Sequence, residues 1–137
     1  MLYTRVQMLT NMLQTKVVAK LTNQVLHVRS GLLRSSVNSQ TTTDGSKILG
    51  TVSAAGGAAH YGVYHENGIP HAWEIRVAKS RALAFQLGVK ENARKIFARS
   101  VVHPPLAQRS FMRSALQESE NEIRRELAQA VADVLKE

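Results

Sequence analysis

Apolar residues recur every three to four positions at Leu2, Val6, Leu9, Leu13, Val17, Leu21 and Val28. That spacing lines one face of a helix and predicts a long N-terminal helix over 2–28. No Pro or Gly interrupts it before Gly31, and the SGLLRSS stretch at 30–36 is where it is expected to end. The pattern then turns polar, SSVNSQTTTDGSK at 35–47, with Asp44-Gly45 as a turn signal. Its flanks suit strands, which predicts a hairpin pairing roughly 33–40 with 47–54. Gly56-Gly57 breaks the second strand. AAHYGVYHENG then fits a short helix near 58–67 with Ala58, Tyr61 and His65 on one face and Gly68 as its C-terminal cap.

Alternation returns in WEIRVA (73–78), ALAFQL (82–87) and KIFARSVV (95–102), three expected strands, with the polar GVKENAR (88–94) linking the last two. Phe85 and Phe97 take core positions in these runs. HPPLAQ (103–108) is a rigid connector, because neither proline can donate a backbone hydrogen bond. A final helix is expected from about 108–110, with Phe111, Ala115, Leu116, Ile123, Leu127, Ala130, Val131 and Val134 as its apolar stripe. Glu118, Glu120 and Glu122 lie in its first half, where the helix dipole favours anions. The implied fold class is α+β. A long N-terminal helix and a long C-terminal helix lay their stripes on a four- to five-stranded antiparallel sheet, with the short helix near 58–67 beside it.

A length of 137 residues fits one domain, 1–137, with no internal repeat. Hydrophobic residues make up 44% and aromatics 5%, so the core must be aliphatic. The absence of cysteine excludes disulfides and thiolate metal sites. The first residues lack the apolar run of a signal peptide, and no stretch approaches the ~20 apolar residues of a membrane span. A soluble protein made and used in a cytoplasm is expected.

Charge changes the picture more. The formal net charge is +8, unevenly spread. Residues 1–43 hold five basic side chains (Arg5, Lys16, Lys20, Arg29, Arg34) and no carboxylate. Residues 76–113 hold nine basic side chains against Glu91 alone, and 114–137 hold six acidic against three basic. Such asymmetry suits contact with DNA, RNA or an acidic protein surface, or a head-to-tail contact between copies. A role in solubility alone would also account for it.

The HYGVYHENG stretch at 60–68 is the densest collection of chemistry-bearing residues. A zinc-protease helix needs His-Glu-x-x-His, but His65-Glu66 is followed by Asn67, Gly68 and Ile69. His60 and His65, five residues apart, diverge by about 140° round a helix. A site using His60, His65 and His71 therefore has little geometric support, and no metal or cofactor is expected. No serine sits in a nucleophile elbow, and GTVSAAGG (50–57) lacks the ending of a phosphate loop. No enzyme is expected. Nucleic-acid binding is the stronger rival, through Arg76, Lys79, Arg81, Lys90, Arg94, Lys95 and Arg99, although no stacking platform of aromatics accompanies them.

Three stretches in order carry a resemblance: HVRSGLLRSSV (27–37), HYGVYHENG (60–68) and VVHPPLAQRSFMRSAL (101–116). Together they resemble the tail-completion, or neck, proteins of tailed bacteriophages and prophages. The chain departs from the family pattern at Ser110, where a Pro is common, at Pro105, where a Gly is common, and at Ser30, where a Thr is frequent. The resemblance implies a non-enzymatic virion protein assembled in the bacterial host cytoplasm. It implies a ring, usually six-fold, at the head–tail junction. Its partners would be the head connector or adaptor, the tail terminator or tail tube, and the DNA in the channel, with no membrane. Ring closure needs one patch binding a different patch on the neighbour. The basic 76–113 segment could then meet an acidic neighbour or face DNA, and the 37–50 hairpin could reach a partner ring. On this view Gly31, Tyr61, His65, Glu66, Gly68, Arg109 and Phe111 are a structural motif. Tyr61 packs beneath the sheet, Glu66 pairs with a basic residue such as Arg109, and Gly68 turns the chain toward Trp73. Arg109 and Phe111 fix the start of the last helix.

Overall fold

The computed structural model describes residues 1–24, 31–77, 83–87 and 94–136. Contacts group the chain into two compact units where its length suggests one domain: Met1–Asn67 with Gln108–Glu137, and Gly68–Ala107.

In the first unit α1 spans Leu2–Ala19, and a π-helical turn, Lys20–Gln24, follows it. The expected helix over 2–28 thus changes geometry at residue 20, and Val28 lies outside the described residues. α2 is a single turn, Leu32–Ser35, entered through Gly31 at φ 75°, a left-handed conformation that favours glycine. The hairpin follows as β1 (Val37–Asp44) and β2 (Lys47–Ala54), in register from Val37↔Ala54 to Asp44↔Lys47. The first strand therefore starts at 37, not 33, because 32–35 are helical. The turn is Gly45-Ser46, one residue later than the sequence signal, with Gly45 at φ 56°. α3 runs from Ala58 to Asn67 and stops at Gly68, φ 69°, as its composition predicts. α4 runs from Met112 to Val134.

α1 turns one face to the hairpin and an adjacent face to α4. Against the hairpin, Gln14 donates to the Val37 carbonyl (2.9 Å), Tyr3 to that of Thr41 (3.2 Å), and Ser39 bonds Asn11 and Gln14. A Cβ at Gly50 would overlap Thr10 Oγ1, so strand and helix meet there backbone to side chain. Val17, Leu21, Val37, Phe111 and Ala115 form the buried core, flanked by Leu13, Val18, Leu33, Val52, Ala54 and Met112.

α4 lies along α1, which corrects the expectation that each long helix covers a sheet. Its buried positions are Ala115, Ser119 and Ala130. Small side chains let two helices approach closely, and the Ser119 hydroxyl is satisfied by the Ala115 carbonyl at 2.8 Å. Leu116 and Val131, expected in the stripe, are about half exposed. The helices run antiparallel and are joined by three ion pairs, Arg5–Glu126 (3.4 Å), Lys16–Glu122 (3.1 Å) and Lys20–Glu118 (2.7 Å). Much of the basic N-terminal and acidic C-terminal charge read from the sequence thus meets within one chain.

The second unit carries β3 (Trp73–Arg76) paired with β6 (Ser100–His103), and β4 (Leu83–Leu87) paired with β5 (Arg94–Ala98), all antiparallel. The run at 95–102 is two strands divided by a bend at Arg99. Among the described residues the strands form three two-stranded ribbons, not one sheet of four or five. Trp73 stacks on His103, its cross-strand partner, with ring centroids 4.1 Å apart. An isolated bridge joins Ile69 and Leu106 with bonds of 2.8 and 2.9 Å, pairing the segments by which the chain enters and leaves the unit. Phe97, expected to face a core, is 67% exposed.

Candidate functional site

Leu33, Gly62, Glu66 and Phe111, drawn from the stretches 27–37, 60–68 and 101–116, meet at one joint in the first unit. Gly62 of α3 lies where a Cβ would stand 3.0 Å from Leu33 and 3.4 Å from Phe111. A larger residue at 62 would hold α3 away from both α2 and the start of α4.

Glu66 is the centre of this joint. Its Oε2 accepts the backbone N–H groups of Phe111 (2.8 Å) and Met112 (3.0 Å). Its Oε1 accepts the Arg113 N–H (2.9 Å) and the Ser110 hydroxyl (2.7 Å). The first amides of a helix have no partner within it, and the dipole makes that end favourable for an anion. α4 has no acidic residue in its own first turn. Glu66 supplies the missing anion from another helix. Burial alone would raise the Glu66 pKa, but the bonds from Arg113, Met112, Ser110 and Phe111 outweigh it and hold the carboxyl below its ordinary range.

Two backbone contacts extend the clamp. The Arg109 N–H donates to the His65 carbonyl (2.7 Å), and Gln108 Nε2 donates to the Glu66 carbonyl (3.1 Å). The expected Glu66–Arg109 ion pair is therefore replaced. Among the described residues no cation pairs with Glu66, and Arg109 enters through its backbone with its side chain exposed. Phe111, 2% exposed, anchors the other side of the joint in the core.

His65 is half-buried, and its Nδ1 has no hydrogen-bond partner among the described residues. Burial first, and the Arg109 charge second, hold its pKa below the ordinary value, which favours the neutral ring. Tyr61, expected beneath a sheet, is instead 70% exposed, and Tyr64 is 51% exposed. Among the described side chains of α3, Gly62, His65 and Glu66 form its buried side. Among the described residues no group of three His, Asp, Glu or Cys side chains is placed to hold a metal ion. No described helix is long and apolar enough to cross a membrane.

In the second unit a shallow groove is lined by Glu74, Arg76, Val77, Arg99 and Ser100. Arg76 pairs with Glu74 at 2.8 Å, and this bond, with one from Ser100, lowers the Glu74 pKa. Arg94 and Lys95 lie on β5, while Lys79, Arg81 and Lys90 fall outside the described residues. Of the expected contact residues, the structure brings together Arg76 and Arg99.

The Glu66 clamp could be anticipated only in part. Ser110-Phe111-Met112-Arg113 contains no acid, which leaves the positive end of the helix dipole without an anion of its own. The motif singled out Glu66 but with Arg109 as its partner; that it takes the backbone amides of 111–113 is not a local property. No family model, no curated protein and no solved structure matches the chain.

Proposed function

We propose that this chain is a structural, non-enzymatic protein of the phage tail-completion or neck type. It would form a ring around the DNA channel and join head to tail. The observation that carries this reading is the joint itself. Leu33, Gly62, Glu66 and Phe111 come from the three stretches that resemble the family, and they meet around the start of α4. The Glu66 carboxylate is turned onto backbone amides, so the one acid of the HYGVYHENG stretch holds two helices together. Such a joint suits a part that transmits load between neighbours.

Within the ring reading, the second unit supplies charge. Gly68–Ala107 holds seven Lys and Arg against Glu74 and Glu91. Arg76, Lys79, Arg81, Lys90, Arg94, Lys95 and Arg99 would face DNA in the channel or an acidic surface of the connector, adaptor, terminator or tail tube. The same surplus favours a second reading, a basic nucleic-acid-binding protein. Deleting the gene from the phage or prophage that encodes it tests the first. Full heads and finished tails that fail to join are expected, and joined virions without the protein would overturn it. Tight DNA binding that weakens steeply with salt, together with normal joining in the deletion, would establish the second.

A further inference from the structure

We infer that Asn67-Gly68 is a spontaneous modification site, at which the Asn67 carboxamide is lost to attack by the backbone, and that the Glu66 joint governs how fast. The inference stands apart from the joining role.

The reaction needs only water and solvent base. The Gly68 backbone nitrogen, once base has taken its proton, attacks Cγ of Asn67. A bond from that nitrogen to Cγ forms, the bond from Cγ to Nδ2 breaks, and Nδ2 leaves as ammonia. Water then opens the five-membered imide at one of its two carbonyls. The product is aspartate or isoaspartate, with one ammonia released, one water consumed and no change of oxidation state. A side chain on the following residue crowds the attack, and glycine has none. The chain holds six asparagines, and Asn67 alone is followed by glycine.

The structure adds to the dipeptide. Asn67 is exposed, so base and water reach it. Among the described residues its carboxamide makes no hydrogen bond. Other asparagines are engaged: Asn38 donates to the Ser36 carbonyl (2.9 Å), and Asn11 accepts the Ser39 hydroxyl (2.9 Å). Asn67 is also the last residue of α3, with Gly68 following at φ 69°. Helix ends open more readily than helix centres.

Helical backbone opposes the attack. It aims each amide at a carbonyl of the preceding turn, away from the side chain that must be reached. Closure of the imide therefore waits for the last turn of α3 to open. The bonds of the joint hold that turn shut. Glu66 takes the amides of Phe111, Met112 and Arg113, and Gln108 holds the Glu66 carbonyl. The conversion rate thus follows the open population of this turn. Its product puts a new carboxylate at the negative end of the α3 dipole, beside Glu66, which disfavours the helix. Isoaspartate also adds a methylene to the main chain. Older chains therefore carry a weaker joint.

The test incubates the full chain, folded, in warm and mildly alkaline buffer. After digestion, the peptide from Ile48 to Arg76 contains no other asparagine and no glutamine, so its mass gain from amide to acid reports Asn67. Conversion is expected here before any other asparagine. Glu66→Ala is expected to convert about tenfold faster, as the turn opens more often. The wild type in urea should likewise convert faster than the folded wild type, a comparison that holds even where the variant fails to fold. A folded chain that keeps Asn67 intact while another asparagine converts would overturn the site. Equal rates in folded and unfolded wild type, or in wild type and a folded Glu66→Ala, would overturn the control by the joint.

Discussion

Replacing Glu66 isolates the joint between α3 and α4. In Glu66→Ala, three backbone amides and the Ser110 hydroxyl lose their acceptor. A hydrogen bond to a charged group contributes about 1.5–3 kcal/mol, and loss of a helix cap costs about 0.5–2 kcal/mol. Four such bonds do not add, because they share one carboxylate. Glu66 is also only half-buried, so water can reach some of the freed amides. A loss of about 2–3 kcal/mol is expected in urea unfolding near neutral pH, read as a lower midpoint at unchanged slope. Glu66→Gln keeps the shape but offers one acceptor oxygen and turns an NH2 toward the amides. It should lose about 1–2 kcal/mol, part of it dipole interaction. The pH dependence identifies the cause. The Glu66 pKa is depressed in the folded state, so its contribution is complete above the ordinary value of 4.5 and is lost as pH falls through the folded value. The gap between wild type and Glu66→Gln should therefore be full at pH 6 and shrink toward acid. Equal stability at neutral pH, or a gap unchanged well below pH 4, would refute the assignment.

The half-buried His65 ring should titrate below 6.5 by NMR, and its contribution to stability is complete above 6.5 and lost as pH falls through the folded value. A titration at or above 6.5 would show that neither its burial nor Arg109 acts as described. Gly50→Ala should destabilise by about 2 kcal/mol, because the new methyl overlaps Thr10 Oγ1. Thermal melting reads this, and Thr10→Ala in the same chain should restore part of the loss. Lys20 is nearly buried while Glu118 is 62% exposed. Glu118→Gln should therefore cost more than Lys20→Met, since the first leaves a buried ammonium without its anion and the second removes the charge. The reverse order in urea midpoints would show that the Lys20 stem, not its charge, matters.

Periodicity by itself determined the long terminal helices, the hairpin and α3, because each has a strong local rule. Leu9, Leu13 and Val17 repeat with the helix, Gly45 permits the turn, and Gly68 ends α3 in a conformation that favours glycine. Which faces meet is not a local property. Leu116 and Val131 satisfy the helical period yet remain exposed, while polar Ser119 is buried because α1 lies against it and the Ala115 carbonyl takes its proton. The strands at 94–98 and 100–103 read as one run, since alternation continues across the bend at Arg99 and only their partners separate them. Charge counting found the basic and acidic segments, but tertiary structure decided that Lys16 and Lys20 meet Glu122 and Glu118 in the same chain. Composition likewise singled out HYGVYHENG. Only the approach of α4, 45 residues along the chain, turned Glu66 from a possible ion-pair partner into the cap of a helix whose own first turn carries no acid.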